Sequence, residues 1–325
     1  MTTPSLQDAV LAPTSQPVRC FLDWPVITDP QQWEGNVALI GVQQSEPYPA
    51  DPQPSDQATA PDAVRLQSYQ FCDGPDQWDF DINTTLSSLT AMKPFDCGNI
   101  NFDSRKPDQY PAFAEHQVAL LEKLWRSKTQ VIMLGGDHGV TTPALQALNV
   151  IGEPVHVVHI DAHLDWREEK EGVKGGYSSP LRRASEMPWI SHITQIGMRG
   201  TGSARRKEME DAVAWGADII PALDVHMEGV KAICDRLPKG RKVYLTIDAD
   251  GLDASHMPGV LAPQPGGLYK EQVAVMIQHL AKHNDLVGMD IVEIAPSFDF
   301  KNAITCITAG RLIINALGAT WKDRD

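Results

Sequence analysis

Carboxylates and imidazoles collect in three short segments of this 325-residue chain. They are Leu134-Gly135-Gly136-Asp137-His138, Asp161-Ala162-His163-Leu164-Asp165 and Asp248-Ala249-Asp250-Gly251-Leu252-Asp253. No Lys or Arg within them supplies an ion pair, so anions this crowded must take up protons or a cation. A pair of divalent metals meets that need. Imidazole mixed with carboxylate suits Mn, Fe, Co, Ni or Zn, whereas an oxygen-only set suits Mg or Ca. Alternate residues of an extended segment share a side. Asp161, His163 and Asp165 can therefore reach one pocket, and so can Asp248 and Asp250. Each segment alone has an ordinary reading: G-G-D-H as a turn with a capping Asp, D-x-D-x-x-D as a solvated loop. Their joint position argues against that.

Each segment directly follows an expected strand. Apolar runs predict strands at 37–42, 131–134, 155–160, 193–198, 218–220, 242–247 and 286–291. Helical spacing predicts helices at 63–71, 110–127, 143–150, 204–215, 226–237, 271–283 and 304–317. Strands alternating with helices imply an α/β fold with a mainly parallel sheet covered on both faces. Ligands of such sheets bind beyond the carboxyl ends of the strands, where all three segments converge. Residues 1–35, Pro-rich and polar, read as an N-terminal arm, and 36–325 as a single catalytic domain. The long segment 43–75 reads as a lid or specificity element.

Composition narrows the chemistry. The chain is 42% hydrophobic and 22% charged, an ordinary globular balance. Its formal net charge of -14 argues against sequence-independent nucleic-acid binding, which runs on phosphate-neutralising cations, and suits a small cationic substrate, with plain solubility as the ordinary reading. Five scattered cysteines, Cys20, Cys72, Cys97, Cys234 and Cys306, include no C-x-x-C pair, which fits a reducing compartment. The first residues lack the basic and apolar stretches of a secretory leader. No apolar run approaches the ~20 residues of a membrane span. The expectation is a cytoplasmic protein with no nucleic-acid or membrane partner.

The three segments together resemble the blocks G-G-D-H, D-A-H-x-D and D-x-D-x-x-D of the ureohydrolases, the family of arginases and agmatinases. Gln195-Ile196-Gly197-Met198-Arg199-Gly200 and Gly288-Met289-Asp290-Ile291-Val292-Glu293-Ile294-Ala295-Pro296 are similar to its agmatinase-like branch. The resemblance runs from about residue 37 to 317. It implies a three-layer α/β/α fold and two divalent ions per chain, Mn in most of the family and Ni in some guanidine- and biguanide-specific members. One ion would take His138, Asp161, Asp165 and Asp248; the other would take Asp161, His163, Asp248 and Asp250. The implied reaction splits a C–N bond of a guanidino compound into urea and an amine. Asp165 would handle the proton, and Glu293 would pair with the guanidinium.

Two departures bear on substrate. Tyr177 stands where many members carry a proton-shuttling His, and a phenol with a pKa near 10 is a weaker shuttle at neutral pH. Arg167, in Trp166-Arg167-Glu168-Glu169, falls in the loop that in this family helps hold the substrate's far end; it would repel a cationic tail unless Glu168 or Glu169 pairs with it, and an exposed charge cluster is the alternative reading. His256 is a substitute acid or a plain loop residue, and His156 and His159 read as buried core histidines. Agmatine-like substrates therefore stand beside guanidine, N-alkylguanidines or a biguanide such as metformin handled with nickel. A non-catalytic partner subunit on the same fold is the alternative of another class. A two-metal deacylase fits less well, because the second and third blocks together are the ureohydrolase arrangement. The family implies a homo-oligomer, trimer or hexamer, with a hetero-oligomer of paralogues as the variant.

Overall fold

The computed structural model describes residues 11–49, 56–71, 74–103 and 105–324. The chain opens its regular structure with strand β1 (Val37–Val42) and helix α1 (Ala60–Gln67). A two-stranded hairpin follows, β2 (Trp78–Asp79) with β3 (Thr84–Thr85), and then β4 (Pro94–Ile100). Next come α2 (Tyr110–Arg126), β5 (Gln130–Gly135), α3 (Thr141–Ala147), β6 (Val155–Ile160) and α4 (Pro180–Ala184). The second half runs β7 (Ile190–Ile196), α5 (Arg206–Trp215), β8 (Asp218–Ile220), α6 (Ala222–Glu228), α7 (Val230–Arg236) and β9 (Lys242–Asp248). It ends with α8 (Lys270–His283), β10 (Asp285–Val292) and α9 (Ile304–Trp321).

Among the described residues, eight strands form one sheet in the order β4-β1-β5-β10-β9-β6-β7-β8. Every pairing in it is parallel. Parallel strands need helical crossovers, which cover both faces, so the central strands read as continuous apolar runs. VALIGV of β1 and VHVVHI of β6 are buried at every position. One core gathers Leu39, Ile132, Leu134 and Ile247 with α8 and α9; the other gathers Ala38, Ile40, Met133 and Tyr244 with α2 and α3. This is the three-layer α/β/α architecture that the resemblance implies, built on the covered parallel sheet that the alternation of elements predicts. Helix α9 is long and apolar enough to cross a bilayer by length and composition alone, yet 78% of it is buried within the protein.

Strand β4 is absent from the expected elements because its sequence, PFDCGNI, shows no apolar run. Its polar side chains are buried against α1. Arg65, wholly buried, donates through Nε and Nη2 to the two carboxylate oxygens of Asp96, each at 2.8 Å, and through Nη1 to Asn99 Oδ1 at 2.5 Å. A paired buried charge of this kind is invisible to hydrophobic periodicity. The helix expected over 226–237 is two helices, α6 and α7, broken at Gly229 with φ 83°. Of residues 1–35, read as an arm, 1–10 lie outside the described residues and the rest lies along β4: Ser15 bridges Asn99, Val26 bridges Asp96, and Phe21 is fully buried.

Candidate metal centre

Four strands that are neighbours in the sheet, β5, β10, β9 and β6, deliver the cluster from their carboxyl ends. After β5 the chain turns at Gly136 to present His138; β6 runs into Asp161, His163 and Asp165; β9 ends on Asp248 with Asp250 just beyond; β10 runs into Glu293. Two glycines permit the close approach. A Cβ on Gly136 would lie 1.6 Å from the Gln43 carbonyl oxygen, and one on Gly251 would lie 2.8 Å from Asp161 N. Neither position admits a side chain.

His138 Nδ1 is buried and makes no hydrogen bond of its own. Around it stand Asp165 Oδ2 at 3.1 Å, Asp161 Oδ2 at 3.2 Å and Asp248 Oδ2 at 3.2 Å. His163 Nδ1 lies 3.2 Å from Asp250 Oδ2 and 3.4 Å from Asp161 Oδ1. The two carboxylate oxygens of Asp161 thus face different imidazoles. Ligands held at ~2.1 Å from one ion sit roughly 3 Å from each other, so these spacings are those of two neighbouring coordination shells. The six residues named from the sequence are together, and the donor chemistry fits a pair of divalent cations.

Electrostatics makes the same point. Asp248 is pushed well up by burial and by the charges of Asp250 and Asp161, and Asp250 rises to about 6 by burial and Asp161. Burial opposes charging His163, but the carboxylates of Asp161 and Asp250 outweigh it and raise the imidazole to about 12. Asp161, although buried, is held far below the usual carboxylate range by His159, His138 and His163. The chain alone accommodates this crowd only by taking up protons, the situation that bound cations relieve.

The remaining carboxylates of the three motifs do other work. Asp137 accepts from Gly139 N at 3.1 Å and from Ser45 N at 3.2 Å, capping a turn and tying the 43–45 loop to it. Asp253 accepts from Ser255 N at 3.0 Å and Gly267 N at 3.2 Å. Both shape loops.

Asp165 and Glu293 are non-glycine residues in the left-handed backbone region, with φ 50° and 65°. Such strain costs on the order of 1 kcal/mol or more and persists where surrounding contacts enforce it. Here the Asp165 carbonyl accepts from Leu181 N at 3.2 Å, and Glu293 N donates to Gly136 O at 2.7 Å. Glu293 Oε1 accepts from His138 N at 2.7 Å, and the carboxyl is raised well above its usual range by burial and by Asp137.

Several residues support the ligands. His159, read from sequence as a plain core histidine, contacts Asp161 Oδ2 through Nε2 at 2.8 Å, and Gln195 Nε2 lies 3.0 Å from its Nδ1. His138 Nε2 lies 2.9 Å from Thr246 Oγ1. Asp290 accepts from Thr141 Oγ1 and the Tyr244 hydroxyl, both at 2.8 Å. Thr246 and Asp290 were not singled out from the sequence. An acidic residue in the interior of the otherwise apolar stretch LVGMDIV was the available signal for the second. Arg199 clamps the loops together by donating to the carbonyls of Asp250 at 2.6 Å and Gln264 at 2.7 Å.

The expected substrate residues lie on the neighbouring loop. The Tyr177 hydroxyl accepts from Lys170 Nζ at 3.1 Å, and its ring meets Tyr48 edge-on at 4.7 Å. Arg167 Nη2 donates to the Ser203 carbonyl at 3.3 Å. His256 packs against Tyr269, their ring centroids 5.4 Å apart. His156 is a buried core residue, 2.9 Å from Thr194 Oγ1. One contact was not foreseen: Gln57, buried in the turn before α1, donates through Nε2 to Glu293 Oε2.

Known proteins give this geometry a family. N(1)-aminopropylagmatine ureohydrolase of Thermus thermophilus is 33% identical over 205 residues, 62% of this chain and 67% of that protein. An agmatinase of Chromobacterium violaceum is 32% identical over 275 residues, 79% of this chain and 76% of that one. Among solved structures, proclavaminate amidino hydrolase from Streptomyces clavuligerus superposes with a TM-score of 0.77 at 25% identity, covering 96% of this chain and 99% of that one. Agmatine ureohydrolase of Thermoplasma volcanium gives 0.74 at 25% identity, with 90% and 93% covered. The arginase family model matches residues 36–318, a span that contains every strand of the sheet and all of the ligand cluster, and the chain belongs to the arginase family, as a C–N hydrolase of its agmatinase-like branch.

Proposed function

We propose that this enzyme hydrolyses a small cationic guanidino compound to urea and an amine, with two divalent ions held by His138, Asp161, Asp165, Asp248 and by Asp161, His163, Asp248, Asp250. The observation that carries the reading is the pair of imidazoles sharing Asp161, each ringed by carboxylate oxygens at 3.1–3.4 Å. A bound divalent pair supplies a strong nucleophile at neutral pH and neutralises developing negative charge. The protein's own residues do the rest. Glu293, fixed by His138 N, orients the guanidinium through a charge-assisted contact. Asp165 accepts a proton at its carboxylate and returns it to the departing nitrogen.

A second substrate reading has a specific observation behind it. Lys170 and Arg167 bring two cations to the loop carrying Tyr177, and Lys170 Nζ lies 4.3 Å from the Tyr48 ring centroid. Lys170, held against the two tyrosine rings, disfavours a second cationic group on the substrate beside it, although Glu168, Glu169 and Glu171 on the same loop offset its charge. It favours guanidine, an N-alkylguanidine or a biguanide; the ligand types suit manganese and nickel alike. Cytoplasmic residence, supported by the free thiols of Cys20, Cys97, Cys234 and Cys306, and a homo-oligomeric state complete the proposal.

The test is urea release from a panel of guanidino compounds by protein reconstituted separately with Mn and with Ni. Urea from one member names substrate and metal together. Silence across the panel with two metals bound per chain would overturn the assignment in favour of a partner subunit.

A further inference from the structure

The carboxylate assigned to the substrate is already engaged by the chain itself. Glu293 Oε1 takes the His138 N–H, and Oε2 takes the carboxamide N–H of Gln57. A carboxamide presents a planar NH2 whose donors resemble one edge of a guanidinium. Gln57 is no surface group caught in passing: it is 6% exposed and its turn is pinned. Asp56 Oδ2 accepts from Ser297 N at 2.6 Å, joining this turn to the one that follows Glu293. Thr59 closes it by donating to the Asp56 carbonyl from N at 2.8 Å and from Oγ1 at 2.7 Å. Behind it, α1 is locked to β4 through the buried Arg65–Asp96 pair at 2.8 Å. These contacts anchor the backbone of the turn, so a change of partner at Glu293 falls to the Gln57 side chain.

We propose that Gln57 is a substrate surrogate: its carboxamide holds the Glu293 carboxylate in binding orientation in the free enzyme, and a guanidinium must displace it. The inference rests on Glu293 being the guanidinium's partner. It makes Gln57 an affinity-setting residue outside the three motifs. An open Glu293 is only a fraction of the free-enzyme population, and apparent affinity is lowered by that fraction. The surrogate also keeps a half-buried carboxylate satisfied when no substrate is bound, an uncompensated state that is otherwise costly.

The experiment compares the wild type with Gln57→Ala and Gln57→Ser, the second keeping a polar group too short to reach Glu293. KM is measured by urea release on the substrate the wild type turns over. Separately, metal-loaded protein is titrated with guanidinium chloride by calorimetry. Expected is a fall of about 5–30-fold in KM and in the guanidinium Kd, the factor that one or two kcal/mol represents. Structural damage weakens binding and does not produce tighter binding. Unchanged or weaker values in either folded variant overturn the proposal and make Gln57 a fixed wall. Glu293→Gln separates the two layers of argument. If it binds guanidinium as well as the wild type does, the Glu293 assignment fails and the surrogate falls with it. If it binds weakly while the Gln57 variants do not tighten, the surrogate alone fails.

Discussion

His138 and Glu293 meet through the main chain: the His138 N–H donates to Glu293 Oε1 at 2.7 Å while the His138 imidazole faces the carboxylates of Asp161, Asp165 and Asp248. One residue thus fixes both the metal cluster and the group that orients substrate. Glu293→Gln keeps the shape and this hydrogen bond but removes the charge that pairs with the guanidinium. Losing one partner of a buried charge pair costs about 2–5 kcal/mol, so kcat/KM should drop by roughly one and a half to three and a half orders of magnitude. Metal content by mass spectrometry should stay at the wild-type value. Near-normal kinetics would remove Glu293 from the substrate site.

Asp161 faces both imidazoles, whereas His163 faces only one half of the cluster. His163→Ala should therefore retain about one ion per chain after dialysis, and Asp161→Ala should retain essentially none. His159→Ala, which leaves every ligand in place but removes the contact to Asp161 Oδ2, should weaken metal affinity by about 10–100-fold. Equal metal loss from His163→Ala and Asp161→Ala would contradict the shared-carboxylate geometry.

Arg65 makes four hydrogen bonds from full burial, to Asp96 twice, Asn99 and Gly98. Arg65→Met strands the Asp96 carboxylate in the core, at a cost of about 3–5 kcal/mol. Denaturant unfolding should report a loss of that size. The double variant Arg65→Met with Asp96→Leu should regain part of it. A single variant as stable as the wild type would show the pair to be dispensable.

His156 is held down at about 4 by burial and by the adjacent His192. Its folded pKa lies below the unfolded value near 6.5, so the unfolded chain binds the proton first as pH falls. Stability from keeping this imidazole neutral is complete above pH ~6.5 and is lost toward pH ~4, at up to about 1.4 kcal/mol per pH unit. Thermal melts across that window should flatten in His156→Gln relative to the wild type. An unaltered slope would assign the acid sensitivity to other groups.

Much of the molecule was legible in the linear chain. Continuous apolar runs such as VALIGV and KVYLTI, alternating with helical spacing, specify a parallel sheet covered on both faces, because only burial on both sides makes such runs stable. The strand-end positions of His138, Asp161, His163, Asp165, Asp248 and Asp250 followed from the same alternation. Tertiary structure decided what depends on contacts between distant segments. It buried the polar strand PFDCGNI, because Arg65 on another element satisfies Asp96. It separated Asp137 and Asp253, which bind backbone N–H groups, from the carboxylates that face the imidazoles. It set His159 against Asp161 and Gln57 against Glu293 across 236 positions of chain. Periodicity records how each residue meets its own element; a partner supplied by the fold leaves no mark in local spacing.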